Sequence, residues 1–215
     1  MNKVVDLWGA TVARLDGIAA YLPAFLLRAI LFHAFWTAGM KKLNGNNWFG
    51  RIQDNFPFPF NSISADLSWL MATWGEIIFS VLLLLGLFTR FAAFSLIMIT
   101  VVAVAAVHWP GEWASIAELW KGYEISDKGF GNFKLPLLYF LMLITILFAG
   151  PGKLSLDALL RKLTDNPPQS PIIDPAAIAL AAAAIGVPML MLIPSFAIGL
   201  LVLAAALGAW AFKTR

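Results

Sequence analysis

Apolar residues fall into long blocks along this chain, separated by short segments that gather nearly all of the charge. Residues 21–40, 69–88, 91–109 and 133–149 each come close to the ~20 apolar positions that a helix needs to cross about 30 Å of hydrocarbon. A fifth block, residues 176–212, would extend about 55 Å as one helix, too long for one crossing. Pro194-Ser195 near its middle therefore predicts a hairpin of two short spans, with Pro188 as a kink in the first. The pattern predicts an all-α, polytopic membrane helix bundle of about six spans.

The remaining segments carry shorter periodicities. Val4, Trp8, Val12, Leu15 and Ala19 recur at helical spacing, so residues 3–19 read as an amphipathic helix lying at the interface. Asp6, Arg14 and Asp16 interrupt any signal-peptide core there. After the fourth span, Gly150-Pro151-Gly152 stops the helix, Ser155 suits an N-cap, and Asp157 suits the positive end of the helix that follows. In that helix Leu156, Leu159, Leu160 and Leu163 would face lipid while Arg161 and Lys162 face water. The chain thus divides into an interfacial segment (1–20), a four-span core (21–165), and a linker with an apolar helical hairpin (166–215).

Two connecting loops are rich in aromatics. Residues 44–68 hold Trp48, Phe49, Phe56, Phe58 and Phe60 around Pro57 and Pro59, and residues 110–132 place Trp113, Ile116, Ala117 and Trp120 on one helical stripe. One reading is an aromatic belt at headgroup level; the other is a lid over a cavity that shields an apolar ligand.

Composition agrees with the pattern and narrows it. Of 215 residues, 60% are hydrophobic and 13% charged, against about 45–50% and about 25% in a soluble domain. Mean hydropathy is +0.81. These values exclude a disordered chain and a water-soluble enzyme. Although the pI is near 9.3, the net charge is only +3 with no basic run, which argues against a nucleic-acid partner. Cysteine is absent, so the chain carries no disulfide, thiolate metal site or CxxC relay. With six spans, Lys3, Arg14, Arg90, Lys153, Arg161, Lys162, Lys213 and Arg215 share one side, eight basic residues. Lys41, Lys42, Arg51, Lys121, Lys128 and Lys134 make six on the other, together with Glu112, Glu118, Glu124 and Asp127. The positive-inside rule then puts both termini in the cytoplasm.

Ionisable groups inside spans are costly and mark candidate sites; here they are Arg28, His33, Glu76 and His108. Counting 1.5 Å per residue from the outer ends, His33 and Glu76 both lie roughly 10 Å deep and Arg28 roughly 18 Å. Two readings follow. Arg28 and Glu76 could form a buried ion pair that staples the first two spans. Alternatively, Glu76 and His33 could form a protonatable pair suited to quinone or proton chemistry, with Arg28, His108 and Trp74 as ligand-binding candidates. His108, beside Trp109-Pro110, also reads as an interface residue. A haem between the two histidines is disfavoured by a level difference of about 7 Å, and a metal shared by His33, Glu76 and His108 is a minor reading, so no metal is assigned. Lys41 would snorkel to the headgroups, and Arg90 would meet lipid phosphate.

Arg28, then Gly39-Met40-Lys41-Lys42-Leu43, Glu76, Leu85-Gly86-Leu87-Phe88-Thr89-Arg90, Gly150-Pro151-Gly152 and Ser155-Leu156-Asp157 resemble, in order and spacing, the DoxX family. These are small bacterial membrane proteins, and the resemblance covers about residues 20–165. It implies a four-helix membrane bundle in the bacterial inner membrane. It also implies a redox association, because the family includes the small subunit of a thiosulfate:quinone oxidoreductase; other members accompany metal-related peptide-modifying systems. Arg28, Glu76 and Arg90 are the positions carried across, with Lys41, Gly150 and Asp157 in the surrounding motif. The C-terminal hairpin departs from the four-helix plan, and the cysteine relay of some distant relatives has no counterpart here. The expected function is a membrane subunit of a redox or respiratory process, binding a quinone or other small apolar ligand near Arg28, His33 and Glu76. A partner subunit or further copy would accompany it. The alternative is a non-enzymatic membrane module: an assembly factor, partner anchor or small-solute passage. A transporter is set lower, since the two halves lack matching polar-interrupted spans.

Overall fold

In the computed structural model, residues 3–124 and 131–213 are described; Asp127, Lys128 and Arg215 from the charge count lie outside them. The described residues form α1 (Lys3–Ala19), α2 (Leu22–Leu43), α3 (Ala65–Leu85), α4 (Thr89–Ala103), α5 (Ile116–Lys121), α6 (Lys134–Ala149), α7 (Leu156–Leu163), α8 (Pro175–Met189) and α9 (Pro194–Lys213), with no strand among them. A single π-helical turn, Val104–His108, prolongs α4.

The chain is a multi-pass membrane protein. By length and apolarity, four helical stretches can cross a bilayer: α2 with α1 ahead of it, α3, α4 with its π turn, and α9. The apolar helices α6 and α8 are shorter, at 16 and 15 residues. Four helices close a ring, each touching two neighbours: α2 with α3, α3 with α4, α4 with α6, and α6 with α2. The buried stripe of α4, Thr89, Ala92, Ala93, Leu96, Ile97, Thr100 and Val101, repeats every three or four residues and faces the ring centre. Leu31 and Phe35 of α2, Leu83 of α3, and Leu143 and Ile146 of α6 complete that core.

Outside the ring, α8 and α9 pack on each other as the expected hairpin. Its turn, residues 190–193, falls just before Pro194, which opens α9, and Pro188 lies in the last turn of α8. At the other end of the chain, α1 has no buried residue and runs into α2 across residues 20–21. The stop at Gly150 and the N-cap at Ser155 form as predicted: Gly150 takes φ 85°, and the Ser155 hydroxyl accepts from the Ala158 N–H at 3.2 Å. The stripe predicted in the second aromatic loop divides: Ile116, Ala117 and Trp120 are exposed, while Trp113 packs inward with Leu119, Val104 and Phe133.

The end where α3 stops and α4 starts, here the lower end, is held by side chains bonded to main-chain groups. The last carbonyls of a helix and the first N–H groups of the next have no partner within their own helices. Arg28, fully buried on α2, donates to the carbonyls of Leu83 at 3.4 Å and Leu84 at 3.2 Å, and also to that of Leu154. Asp157 accepts from the N–H groups of Phe88 at 2.9 Å and Thr89 at 3.0 Å and from the Thr89 hydroxyl at 2.7 Å. It therefore caps α4 as well as sitting at the start of α7. Arg90, exposed at this end, donates to the carbonyls of Leu147 and Phe148 at the end of α6. Those carbonyls have no partner within their own helix, and the guanidinium supplies one.

Gly86 makes this arrangement possible. It is left-handed at φ 66°, and a Cβ there would collide with Nη1 of Arg28 and stand 2.5 Å from Cβ of Ser155. Gly86→Ala is expected to lose more than about 2 kcal/mol, combining left-handed backbone strain with displacement of Arg28. Gly9→Ala, in open space on α1, should be neutral or gain up to about 1 kcal/mol. Thermal unfolding of both variants in detergent checks the contrast.

Candidate functional site

Arg28, Leu31, Phe35 and Gly39 form the buried stripe of α2, spaced by three or four residues. One more step of three brings Lys42 onto it, while Lys41 falls outside and is exposed. α3 answers with Ser68, Thr73, Glu76, Ile77, Ser80 and Leu83. The helices approach closely at Gly39, where a Cβ would stand 3.2 Å from the Thr73 carbonyl oxygen and 3.3 Å from Cβ of Glu76. This approach sets the register between them. Lys42 Nζ bonds both Glu76 carboxylate oxygens, at 2.8 and 2.7 Å, with Glu76 itself 7% exposed.

The expected Arg28–Glu76 pair is therefore replaced by Lys42–Glu76, with Arg28 engaged at the lower end. Two physical reasons account for the difference. Ser64 caps α3 through the Leu67 N–H at 3.3 Å, so the helix begins at Ala65, before its apolar run. Likewise α2 continues to Leu43, keeping both lysines helical. Counting from apolar ends misjudged the relative heights, so Glu76 lies level with Gly39 rather than with His33.

Glu76 lines a cavity of about 740 Å³ between α3 and α4. Ser68, Ala72, Gly75, Glu76 and Phe79 form one wall; Phe91, Ser95, Met98, Ile99 and Val102 belong to the other. The loop between α2 and α3 folds over the upper end and contributes Trp48, Phe49, Phe56 and Phe60. Phe49 packs edge-on to Trp69, with ring centres 5.0 Å apart, and touches Phe56 at 5.1 Å. Of the two readings of this aromatic loop, the geometry is that of a roof over a cavity. His108 reaches the same space from the π turn, its Nδ1 in contact with Oδ1 of Asn132.

The buried hydroxyls along these helices mostly satisfy themselves. Thr73 donates to the Trp69 carbonyl at 2.7 Å, Ser80 to Ile77 at 3.0 Å, and Thr100 to Leu96 at 2.7 Å. Ser68 Oγ differs: it is buried on the cavity wall without a hydrogen-bond partner.

A DoxX family model matches residues 24–109, from the first turn of α2 to just past the π turn. An uncharacterized protein of Haemophilus influenzae is 41% identical over 150 residues, covering 70% of this chain and 91% of that protein. The chain belongs to the DoxX family. No solved structure matches it.

The DoxX motif pieces separate by place. Arg28, Gly86, Arg90, Gly150 and Asp157 gather at the lower end, where they cap and connect helices. Gly39, Lys42 and Glu76 meet at the upper end on the cavity. Of the candidate site residues, Glu76 and His108 line the cavity; Arg28, His33 and Trp74 do not. His33 is exposed on the outer face of α2, and Trp74 is 45% exposed. Lys42 and Ser68 were missed. Lys42 was recoverable from the stripe through Arg28, Leu31, Phe35 and Gly39; nothing in the sequence marks Ser68 apart from its place on the face of Glu76.

Removing one member of a buried ion pair leaves the other uncompensated, at a cost of about 3–5 kcal/mol, whereas removing both together costs far less. Lys42→Met alone should fall in or just below that range, because Lys42 keeps 18% of its side chain exposed. Lys42→Met with Glu76→Gln should regain most of the loss. A double-mutant cycle of unfolding free energies in detergent measures the coupling.

Proposed function

We propose that this DoxX protein is an integral membrane subunit of a redox or respiratory process. In this reading it holds a quinone or similar small apolar ligand in the cavity between α3 and α4. The observation that carries the proposal is a carboxylate and an ammonium, 2.7 Å apart, on the wall of a largely apolar space of about 740 Å³. Such a space with a few convergent polar groups has the character of a small-molecule site. Glu76 would take or give a proton, and Lys42 would hold its charge between events. With no cysteine in the chain, electrons would pass through a partner subunit. The excess of basic residues beside the lower end supports a cytoplasmic location for that end and for both termini, in a bacterial inner membrane.

The pair also supports a second reading, since Lys42 satisfies both Glu76 oxygens and ties α2 to α3. In a non-enzymatic module it would serve only as that staple. Glu76→Gln separates the two. The redox reading expects quinone-linked electron transfer per amount of folded protein in membranes to fall at least ~100-fold, the scale of a lost general acid–base, beyond any loss of abundance that the unpaired Lys42 causes. If the only change is loss of folded protein, the redox reading is overturned and the staple stands.

A further inference from the structure

We propose that a groove at the lower end, between the start of α4 and α7, seats the phosphate of an anionic phospholipid between Arg90 and Arg161. The groove has a volume of about 390 Å³. It lies apart from the Glu76 cavity, so the proposal does not depend on what that cavity holds. α7 turns Asp157, Leu160, Arg161 and Thr164 toward it at steps of three, one and three residues, a single helical face. Both bonds of Arg90 to the end of α6 run through Nη1, which leaves Nη2 and Nε as donors. Arg161 is exposed and makes no ion pair among the described residues, although Asp157 stands one turn before it.

The Asp157 carboxylate is committed elsewhere. Its Oδ1 accepts from the Phe88 N–H, and its Oδ2 from the N–H and hydroxyl of Thr89. Two guanidiniums therefore face one carboxylate in the groove, and both cations keep unused donors. Lys162 and Asp165, next along the chain, lie outside the lining and offset one another. A phosphate diester supplies the missing negative charge and the acceptor oxygens that a guanidinium binds best. The remaining lining selects a lipid over a free phosphate ester. Phe88, Phe91 and Leu160, exposed by 65, 61 and 46%, stand beside the guanidiniums. Their apolar surface suits the glycerol backbone and acyl chains that a lipid brings with its head. Leu159 and Leu163 expose further apolar surface on α7, which sets this helix and its cations at headgroup level.

Native mass spectrometry of the full chain, released from nonionic detergent at graded dioleoylphosphatidylglycerol, measures the affinity of the first lipid bound. Phosphatidylglycerol should bind at least about fivefold more tightly than phosphatidylcholine, whose trimethylammonium returns a positive charge to the groove. Arg161→Gln should weaken phosphatidylglycerol about fivefold, the scale of one lost basic contact to a lipid head. Unfolding of the lipid-free protein should not change, because Arg161 is exposed and has no ion-pair partner among the described residues. Lys162→Gln, next on the same helix but outside the groove, should alter the affinity by less than about twofold. Glycerol phosphate, a head without chains, should not displace the lipid at millimolar concentration. Equal losses in Arg161→Gln and Lys162→Gln, no loss in Arg161→Gln, or equal binding of phosphatidylcholine overturns the proposal and leaves only general attraction to the bilayer surface. Displacement by glycerol phosphate also overturns it, and makes the groove a site for free phosphate esters.

Discussion

The donation from the Arg28 guanidinium to the carbonyls of Leu83, Leu84 and Leu154 is the contact on which the rest of this bundle depends. A helix that ends inside an apolar medium leaves carbonyls that water does not reach, and each unsatisfied group costs several kcal/mol. Lysine would offer a single nitrogen there. The planar guanidinium presents five donors in a fixed fork and spreads them over the end of α3 and the loop before α7 at once. The turn between α3 and α4 is tight because its carbonyls are held, and Gly86 follows from the same contact, since a side chain would occupy the space of the guanidinium. Asp157 and Arg90 extend the principle to the start of α4 and the end of α6.

With one end of the ring fixed by main-chain contacts, the other end is free to diverge. At Gly39, α2 and α3 pack closely. α3 and α4 instead share small residues along the facing wall, Ala72 and Gly75 on one side and Ala103 and Ala106 on the other, and a space remains between them. The roof closes it from above with aromatic rings from residues 44–68. The cavity thus arises at the end of the bundle that backbone bonding leaves alone. The polar groups found there are the ones that helix ends do not consume.

Much of the architecture could be read from the chain. The apolar blocks, the C-terminal hairpin, the stop at Gly150 and the N-cap at Ser155 all depend on local sequence, and local physics decides them. The pairing of charges was less legible. Arg28 and Glu76 were the natural partners by spacing from apolar ends, yet relative height depends on where each helix is capped and where two helices touch. Ser64 and Gly39 decide those matters, and neither stands out in a hydropathy pattern. The choice between Lys41 and Lys42 was accessible in principle, because the stripe through Arg28 and Gly39 selects Lys42. Ser68 was not accessible: an unpartnered hydroxyl is a property of its surroundings.

The pairing of Lys42 with Glu76 also governs how the upper site responds to the transmembrane voltage. Moving one elementary charge across 100 mV changes its energy by about 2.3 kcal/mol. A bound ammonium and carboxylate carry no net charge, so the field acts only on their short dipole. A quinone, the ligand of the proposed function, would add no charge either. Filling and emptying of such a cavity would proceed at the same equilibrium in an energised and a de-energised membrane. Voltage sensitivity would enter only at a step that moves a proton on or off Glu76.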